Sequence, residues 1–581
     1  MVRLDLNGTA VAPGVGVGTI VLILPPAGAK QPRRVLAEGE ELAALKLFAE
    51  AHARALARLA EVQDATAQEL GLQDAAIYGA QCAVLRDPEA LREIHGAIRN
   101  DRLAPESAIQ AFLDRLGGVF EALEGGEMKS WAADLRDPWM QVLRELGEGA
   151  EDAVLAAAES ENLVLVAEEL TPSLLTRFPR ARIAGILCVR GGRFSHGAMV
   201  ARAAGVPTVA GLEQVHLRVH SGESCVVYGD EGRALVGVAP AELQSARERA
   251  AELTRMRRSL AQAALAPCVT RDGTPVEILA NIESPRDLEI FDLRSVDGIG
   301  LFRTEFAYME RPSFPTAEEQ TRLYADVLQR LAGRPVTFRT LDVGADKQLR
   351  YLTLPQEANP ALGWRGLRLG LVWQDILLLQ LQAFLAAGSK SPIRILLPMV
   401  TTVEEVLAVK KMLHALLAPG VQRPLLGAMI EVPAAVMGLR DLLRETDFIS
   451  VGTNDLTQYL FAVDRDNPWV SSLYQPYHPA HLRVLRMIAR QCLAARKPFS
   501  VCGELAGQAA GALFLVGAGF RSLSMAATFV PEIKALLRES EVEVLRVAAN
   551  RAQRCRTAGE AAAVLDGVVG QAWKRVVASQ S

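Results

Sequence analysis

Over residues 266–581, short apolar runs alternate with helical segments at regular spacing. The runs are VEILANI, GIGLFRTE, VTFRTLDVG, IRILLPMV, LLGAMIEVP, FISVGTND, FSVCGEL and RSLSMAA. Eight such units predict eight parallel strands closed into a (β/α)8 barrel. The earlier part of the chain reads differently. Residues 1–30 are rich in Gly and Val and predict short strands. Between 31 and 149 apolar positions recur at three- and four-residue spacing, as in ELAALKLFAEAHARALARLAEVQDATAQEL, which predicts a helical bundle. Strands return between 150 and 240, in LVLVA, ARIAGILCV, PTVAG, SCVVYG and ALVGV. The expected fold is multidomain α/β. One α/β domain comprises 1–30 plus 150–240 and is interrupted by a helical insertion at 31–149. A linker helix over 241–265 then leads into the barrel over 266–581.

Composition narrows the setting. A chain of 581 residues is too long for one ordinary core, and half of it is hydrophobic against 22% charged, the balance of well-packed domains. The formal net charge is -4 and no Lys/Arg block occurs, so no nucleic-acid partner is expected. The N-terminus lacks the apolar segment of a signal peptide, because the short run Ile20–Leu24 meets Pro25 and Pro26. No apolar stretch approaches the roughly 18 residues of a membrane span, so no membrane insertion is expected. The seven cysteines are scattered and include no C-x-x-C pair, which fits a cytoplasmic location better than a disulfide framework.

Barrel enzymes place their chemistry at the C-terminal ends of the strands. The polar residues of this chain fall there: Arg303-Thr304-Glu305, Arg339 and Asp342, Glu431, Asn454-Asp455 and Cys502-Gly503-Glu504. Arg303 and Arg339, with Arg465 just after the sixth strand, offer three permanent cations. They either pair with structural acids or grip an anionic ligand, and three around one mouth favour the ligand. Glu431 and Asp455 end the fifth and sixth strands. They suit a hard cation such as Mg2+, or are two salt-bridged acids. Arginines and Mg2+ in one pocket describe a phosphoryl-transfer site. Cys502 ends the seventh strand. With an ordinary thiol pKa of about 8.5 it is protonated at neutral pH and can donate a proton to an enolate; otherwise it is a small buried hydrophobe. In the α/β part, His196 lies in GGRFSHGAMVARAAG, ahead of a helical run. A helix N-terminus favours an anion on the ring, and His is an able nucleophile for covalent transfer.

These segments resemble enzyme I, the phosphoenolpyruvate–protein phosphotransferase family, over nearly the whole chain. GGRFSHGAMVAR is similar to the family's phosphohistidine motif. GIGLFRTEFAYMERPSFPTAEEQ, FRTLDVGADKQLRYL, NPALGWRGLRL, SVGTNDLTQYLFAVDRDN and VCGELAG resemble its barrel. The resemblance implies that His196 is phosphorylated. It implies that Arg303, Arg339, Arg465, Asn454 and Asp455 hold phosphoenolpyruvate, that Glu431 and Asp455 ligate Mg2+, and that Cys502 protonates enolpyruvate to pyruvate. Arg365 in GWRG, Thr171 in LTPS and Arg136 in AADLRD are implied in supporting roles. The implied partners are the phosphocarrier HPr, docked by the helical insertion, and a second copy of the chain, joined through the barrel. Delivery from barrel to carrier implies a swivel about 240–264.

Two other functions stay open at this level. A nucleotide-using dikinase or synthase of the same superfamily needs a further domain, and the chain has no G-x-x-x-x-G-K-[ST] loop. A non-catalytic regulator is the second. The family pattern usually has Thr where this chain has Phe194, and a hydroxyl residue or Ala where it has Gly197. The acid common in docking helices is missing at Gly79.

Overall fold

The computed structural model of the chain describes residues 3–23, 34–37, 39–69, 81–121, 138–143, 145–146, 162–168, 182–190, 201 and 205–580, with short omissions at 310–312, 345–348, 350, 353–354, 356, 389–392, 418–422, 466 and 468. Two compact units result, Met1–Arg255 and Met256–Ser581.

In the first unit the chain's opening strands β1 (Leu4–Asn7), β2 (Thr9–Ala12) and β3 (Val15–Ile23) share one sheet with β4 (Leu163–Ala167), β5 (Ile183–Cys188), β6 (Thr208–Ala210), β7 (Ser224–Tyr228) and β8 (Arg233–Val236). The order is β1-β8-β7-β3-β4-β5-β6-β2. Strand β3 pairs parallel with β4, Thr19 to Leu163 through Ile23 to Ala167, across nearly 140 intervening residues. Strand β4 reads LVLVA and every residue is buried, because this central strand is covered on both faces. The chain between β3 and β4 contributes helices Glu41–Glu69, Pro88–Arg99 and Pro105–Glu121. They share an apolar core of Phe48, Leu85, Ile94, Ile98, Ile109 and Trp139. Asp87 starts the second of these helices by accepting from the Glu89 and Ala90 amides, with Pro88 in the first turn.

A helix runs Pro240–Ala263, and the boundary between the units falls inside it. Its C-terminal end is held by cations of the second unit. Lys534 Nζ donates to Ala264 O at 2.8 Å and Ala266 O at 3.1 Å, and Arg538 Nη1 donates to Ala263 O at 2.9 Å. Positive charge there complements the helix dipole.

The second unit is a closed barrel of parallel strands: β9 (Glu277–Ile282), β10 (Gly298–Phe302), β11 (Val336–Arg339), β12 (Arg394–Leu397), β13 (Leu425–Ile430), β14 (Phe448–Val451), β15 (Phe499–Val501) and β16 (Ser522–Ala526). Closure comes from β16 pairing with β9, Ser522 to Glu277 through Ala526 to Asn281. Strand alternation sorts the side chains. Ile449 and Val451 pack outward with the main apolar core, whereas Phe448 joins Leu301, Leu396, Met429 and Cys502 in a separate cluster inside the barrel.

Candidate active site

The strand ends of the barrel carry a cluster of buried charges. Arg339 closes β11, and its Nη2 donates to Glu305 Oε1 at 2.6 Å while Nη1 lies 3.0 Å from Asp342 Oδ2. Glu305 Oε1 also accepts the Asp342 amide at 3.1 Å. Arg365 continues the chain of pairs. Its Nη2 donates to Asp342 Oδ2 at 3.0 Å and to Asp455 Oδ2 at 3.3 Å, and its Nε to Asp342 Oδ1 at 3.3 Å. Arg365 sits on a loop rather than a strand end. Gly366 makes that placement possible: it takes φ +57°, and a Cβ there would crowd Asp342 Oδ1 and the Met399 side chain at about 3.0 Å.

Glu431 follows β13 and is buried, with Oε1 accepting the Met399 amide at 2.6 Å. Its Oε2 faces Gly452, where a Cβ would approach to 2.6 Å. Gly452 precedes the helix Thr453–Phe461, whose first turn carries Asp455. Burial, then Asp455 and Asp342, push the Glu431 carboxyl well above the ordinary carboxylate range, against the pull of Arg339 and Arg365. Burial works against the charge on Arg339 and Arg365 too, but the carboxylates around them outweigh it and keep both guanidiniums ionised.

Six groups in this cluster are buried: Glu305, Asp342, Glu431 and Asp455 against Arg339 and Arg365. With all four carboxylates ionised, the two guanidiniums would leave an excess of two negative charges, and the raised Glu431 carboxyl is where a proton relieves part of it. Asp455 Oδ1 is buried with no hydrogen bond. A divalent cation is the charge that fits this excess. Glu431 and Asp455 can hold it as an open, oxygen-only pair completed by water or substrate oxygens. No group of three or more His, Cys, Asp or Glu side chains capable of holding a metal occurs among the described residues.

Two further arginines stand at the rim. Arg303 Nη1 donates to Glu283 Oε1 at 2.6 Å, and Arg465 Nη1 lies 3.8 Å from Asp455 Oδ1. Both side chains are about one-third exposed, so they can exchange these partners for an anionic ligand. Asn454 is engaged with Glu504: its Nδ2 donates to Oε1 at 3.2 Å and its Oδ1 accepts the Glu504 amide at 3.0 Å.

Cys502 follows β15 and is 2% exposed, with its Sγ 3.6 Å from Val451 O. Burial pushes its thiol up to about 11; the Ser450 hydroxyl pulls it down, Glu431 raises it, and Arg339 and Arg303 lower it. At neutral pH the sulfur therefore keeps its proton.

The structure thus brings together Arg339, Arg365, Glu431 and Asp455, with Arg303, Arg465, Asn454 and Cys502 around them. His196, Thr171 and Arg136 lie outside the described residues, as do Phe194, Gly197 and Gly79. Tyr459 went unread in the sequence. Its hydroxyl accepts from Arg365 Nη1 at 3.3 Å and donates to Ala361 O at 2.5 Å, tying the Arg365 loop to the Asp455 helix. The only signal was its place one helical turn after Asp455. Glu283 and Met399 carried no signal, since one acts as an ion-pair partner and the other through its backbone.

Comparison with known proteins agrees with this geometry. Residues 257–542 match the PEP-utilising enzyme PEP-binding domain, residues 159–232 the mobile domain and residues 7–130 the N-terminal domain of the same enzymes. The chain is 36% identical over 542 residues to the phosphoenolpyruvate-protein phosphotransferase of Geobacillus stearothermophilus, covering 92% of this chain and 93% of that one. The protein of the same name from Enterococcus faecalis is 34% identical, covering 97% and 99%, and that from Haemophilus influenzae 32%, covering 96% and 97%. Likeness of this extent, over a closed barrel with an arginine-carboxylate mouth, identifies the chain as an enzyme of the phosphoenolpyruvate-protein phosphotransferase family.

Proposed function

We propose that the chain moves the phosphoryl group of phosphoenolpyruvate onto its own His196 and then onto a histidine of HPr, releasing pyruvate, as the first step of phosphotransferase-system sugar uptake. The observation that carries the reading is the buried Arg339–Asp342–Arg365–Asp455 chain beside Glu431, with the partly exposed Arg303 and Arg465 at its rim. It offers fixed charge for a trianionic substrate in a site screened from water.

In this mechanism Arg303 and Arg465 take the phosphate and carboxylate groups, and Arg339 orients the enol phosphate from below. Glu431 and Asp455 hold Mg2+, which supplies neutralisation of the phosphate oxygens. A neutral ring nitrogen of His196 attacks phosphorus in line. The bond from phosphorus to the enol oxygen breaks, and its electron pair leaves with the enolate. Carbon 3 of the enolate takes the Cys502 proton, which yields pyruvate and a thiolate. The phosphohistidine then meets the HPr histidine. Thr171 and Arg136 support the phosphohistidine, and Arg365 supports the substrate site through Asp342 and Asp455. His196 and the barrel belong to different units, so the relay requires a swivel about 240–264. Pairing of two copies through the barrel and a cytoplasmic location complete the reading. Among the described residues no helix is long and apolar enough to cross a membrane.

Incubation of the purified chain with Mg2+, phosphoenolpyruvate and HPr tests the reading. One pyruvate and one phospho-HPr should appear per phosphoenolpyruvate consumed. Pyruvate without phospho-HPr would move the acceptor elsewhere, and neither product would end the proposal.

A further inference from the structure

Cys502 must be recharged after each proton it gives, and a buried thiolate has no direct contact with bulk water. Strand register supplies a candidate source. Ser450 on β14 is the register partner of Ser500 on β15, and Cys502 lies two residues beyond Ser500, so all three project to the same face. That face is the barrel interior, because Phe448, two residues before Ser450, packs there with Cys502. Ser500 Oγ donates to Ser450 Oγ at 3.2 Å, and the Ser450 hydroxyl stands near enough to the Cys502 sulfur to pull its thiol pKa down, while Sγ itself donates to Val451 O at 3.6 Å. Ser450 is fully buried, whereas Ser500 is partly exposed. The hydroxyls therefore line up from solvent-touching Ser500 through buried Ser450 toward the sulfur.

We propose that Ser500 and Ser450 form a proton relay that reloads Cys502 from inside the barrel, independently of the mouth where substrate sits. The inference rests on the reading of Cys502 as the proton donor to the enolate. The balance closes without an added reagent. As the sulfur takes the Ser450 proton, Ser450 takes the Ser500 proton and Ser500 takes one from water. The S–H bond re-forms, both hydroxyls are restored, and hydroxide is left to the solvent. Neither serine touches substrate; both act through Cys502.

Two exchange rates on the full chain separate relay from structure. With Mg2+, phosphoenolpyruvate and 14C-pyruvate, carbon label passes between the two compounds through the phosphoenzyme. That exchange can reuse the same Cys502 proton and needs none from solvent. In D2O, deuterium entering the pyruvate methyl group does need solvent to reach the sulfur. In Ser450→Ala and Ser500→Ala the ratio of deuterium incorporated to carbon exchanged should fall by about tenfold or more, within the range of lost general acid-base assistance. Ser500→Thr, which keeps a hydroxyl, should restore it. An unchanged ratio in both alanine variants would overturn the relay. Equal loss of both rates in both variants would assign the serines to structure and also overturn it. Absence of carbon exchange in the wild type would instead count against the proposed function itself.

Discussion

Arg365 and Asp455 meet at 3.3 Å, Nη2 to Oδ2, although ninety residues separate them in the chain. The pair links the loop after β11 to the helix after β14, and Arg365 extends the link to Asp342 at 3.0 Å. Removing one partner of a buried pair leaves uncompensated charge. Arg365→Met should therefore cost about 3–5 kcal/mol of stability, read by urea unfolding, and abolish pyruvate formation. Combining it with Asp342→Asn should recover part of the stability and none of the activity. A loss near zero in the single variant would mean that water already reaches the pair.

The Cys502 thiol, pushed up to about 11 by burial, sets a second expectation. The reactive species toward iodoacetamide is the thiolate, so inactivation should rise about tenfold per pH unit and level off only near pH 11. Cys502→Ala should lower the rate of pyruvate formation by roughly 100-fold or more while leaving the KM for phosphoenolpyruvate little changed. Levelling near pH 8 would place the thiol in a far more open site.

Legibility followed geometry. Arg339, Glu431, Asp455 and Cys502 could be placed from the sequence because barrel strands end at one mouth, and alternation marks those ends. Arg365 could not be placed that way. Its position depends on a loop that turns at Gly366, and only resemblance to the family singled it out. That residues 1–30 share one α/β domain with 150–240 is read from the strand pattern, but the pairing of β3 with β4 and the order β1-β8-β7-β3-β4-β5-β6-β2 were not readable, since long-range pairing leaves no local pattern. Ser450 and Ser500 lay hidden in FISV and FSVC. Each looks like a lone polar residue in a core strand until register sets them side by side.

His481 is fully buried, with Nδ1 2.8 Å from Pro476 O and Nε2 3.4 Å from Thr457 Oγ1. Burial lowers its pKa to about 4. The folded ring is neutral where the unfolded ring would already be charged. Its contribution is therefore complete above about pH 6.5 and is lost as pH falls from there toward 4, by roughly 3 kcal/mol in all. His481→Gln should flatten stability in that window relative to the wild type, measured by urea unfolding at stepped pH. A wild-type curve already flat between pH 4 and 6.5 would contradict the assignment.

The buried excess of carboxylate predicts a binding signal apart from turnover. Mg2+ should raise the melting temperature of the substrate-free chain, and 100 times its Kd should add about 2.7 kcal/mol of stability. Chelation should reverse the shift. Glu431→Gln removes one of the two carboxylates that can hold the cation, so the shift should shrink or vanish. A full shift in that variant would place the cation elsewhere.

The central claim is that His196 carries the phosphoryl group, and labelling tests it most directly. Phosphoenolpyruvate labelled at phosphorus, mixed with the purified chain and Mg2+, should leave one acid-labile, base-stable label per subunit with one pyruvate released. His196→Ala should take up none. Label that persists in His196→Ala would contradict the account by moving the nucleophile, and an unlabelled wild type would mark a site that binds without transferring.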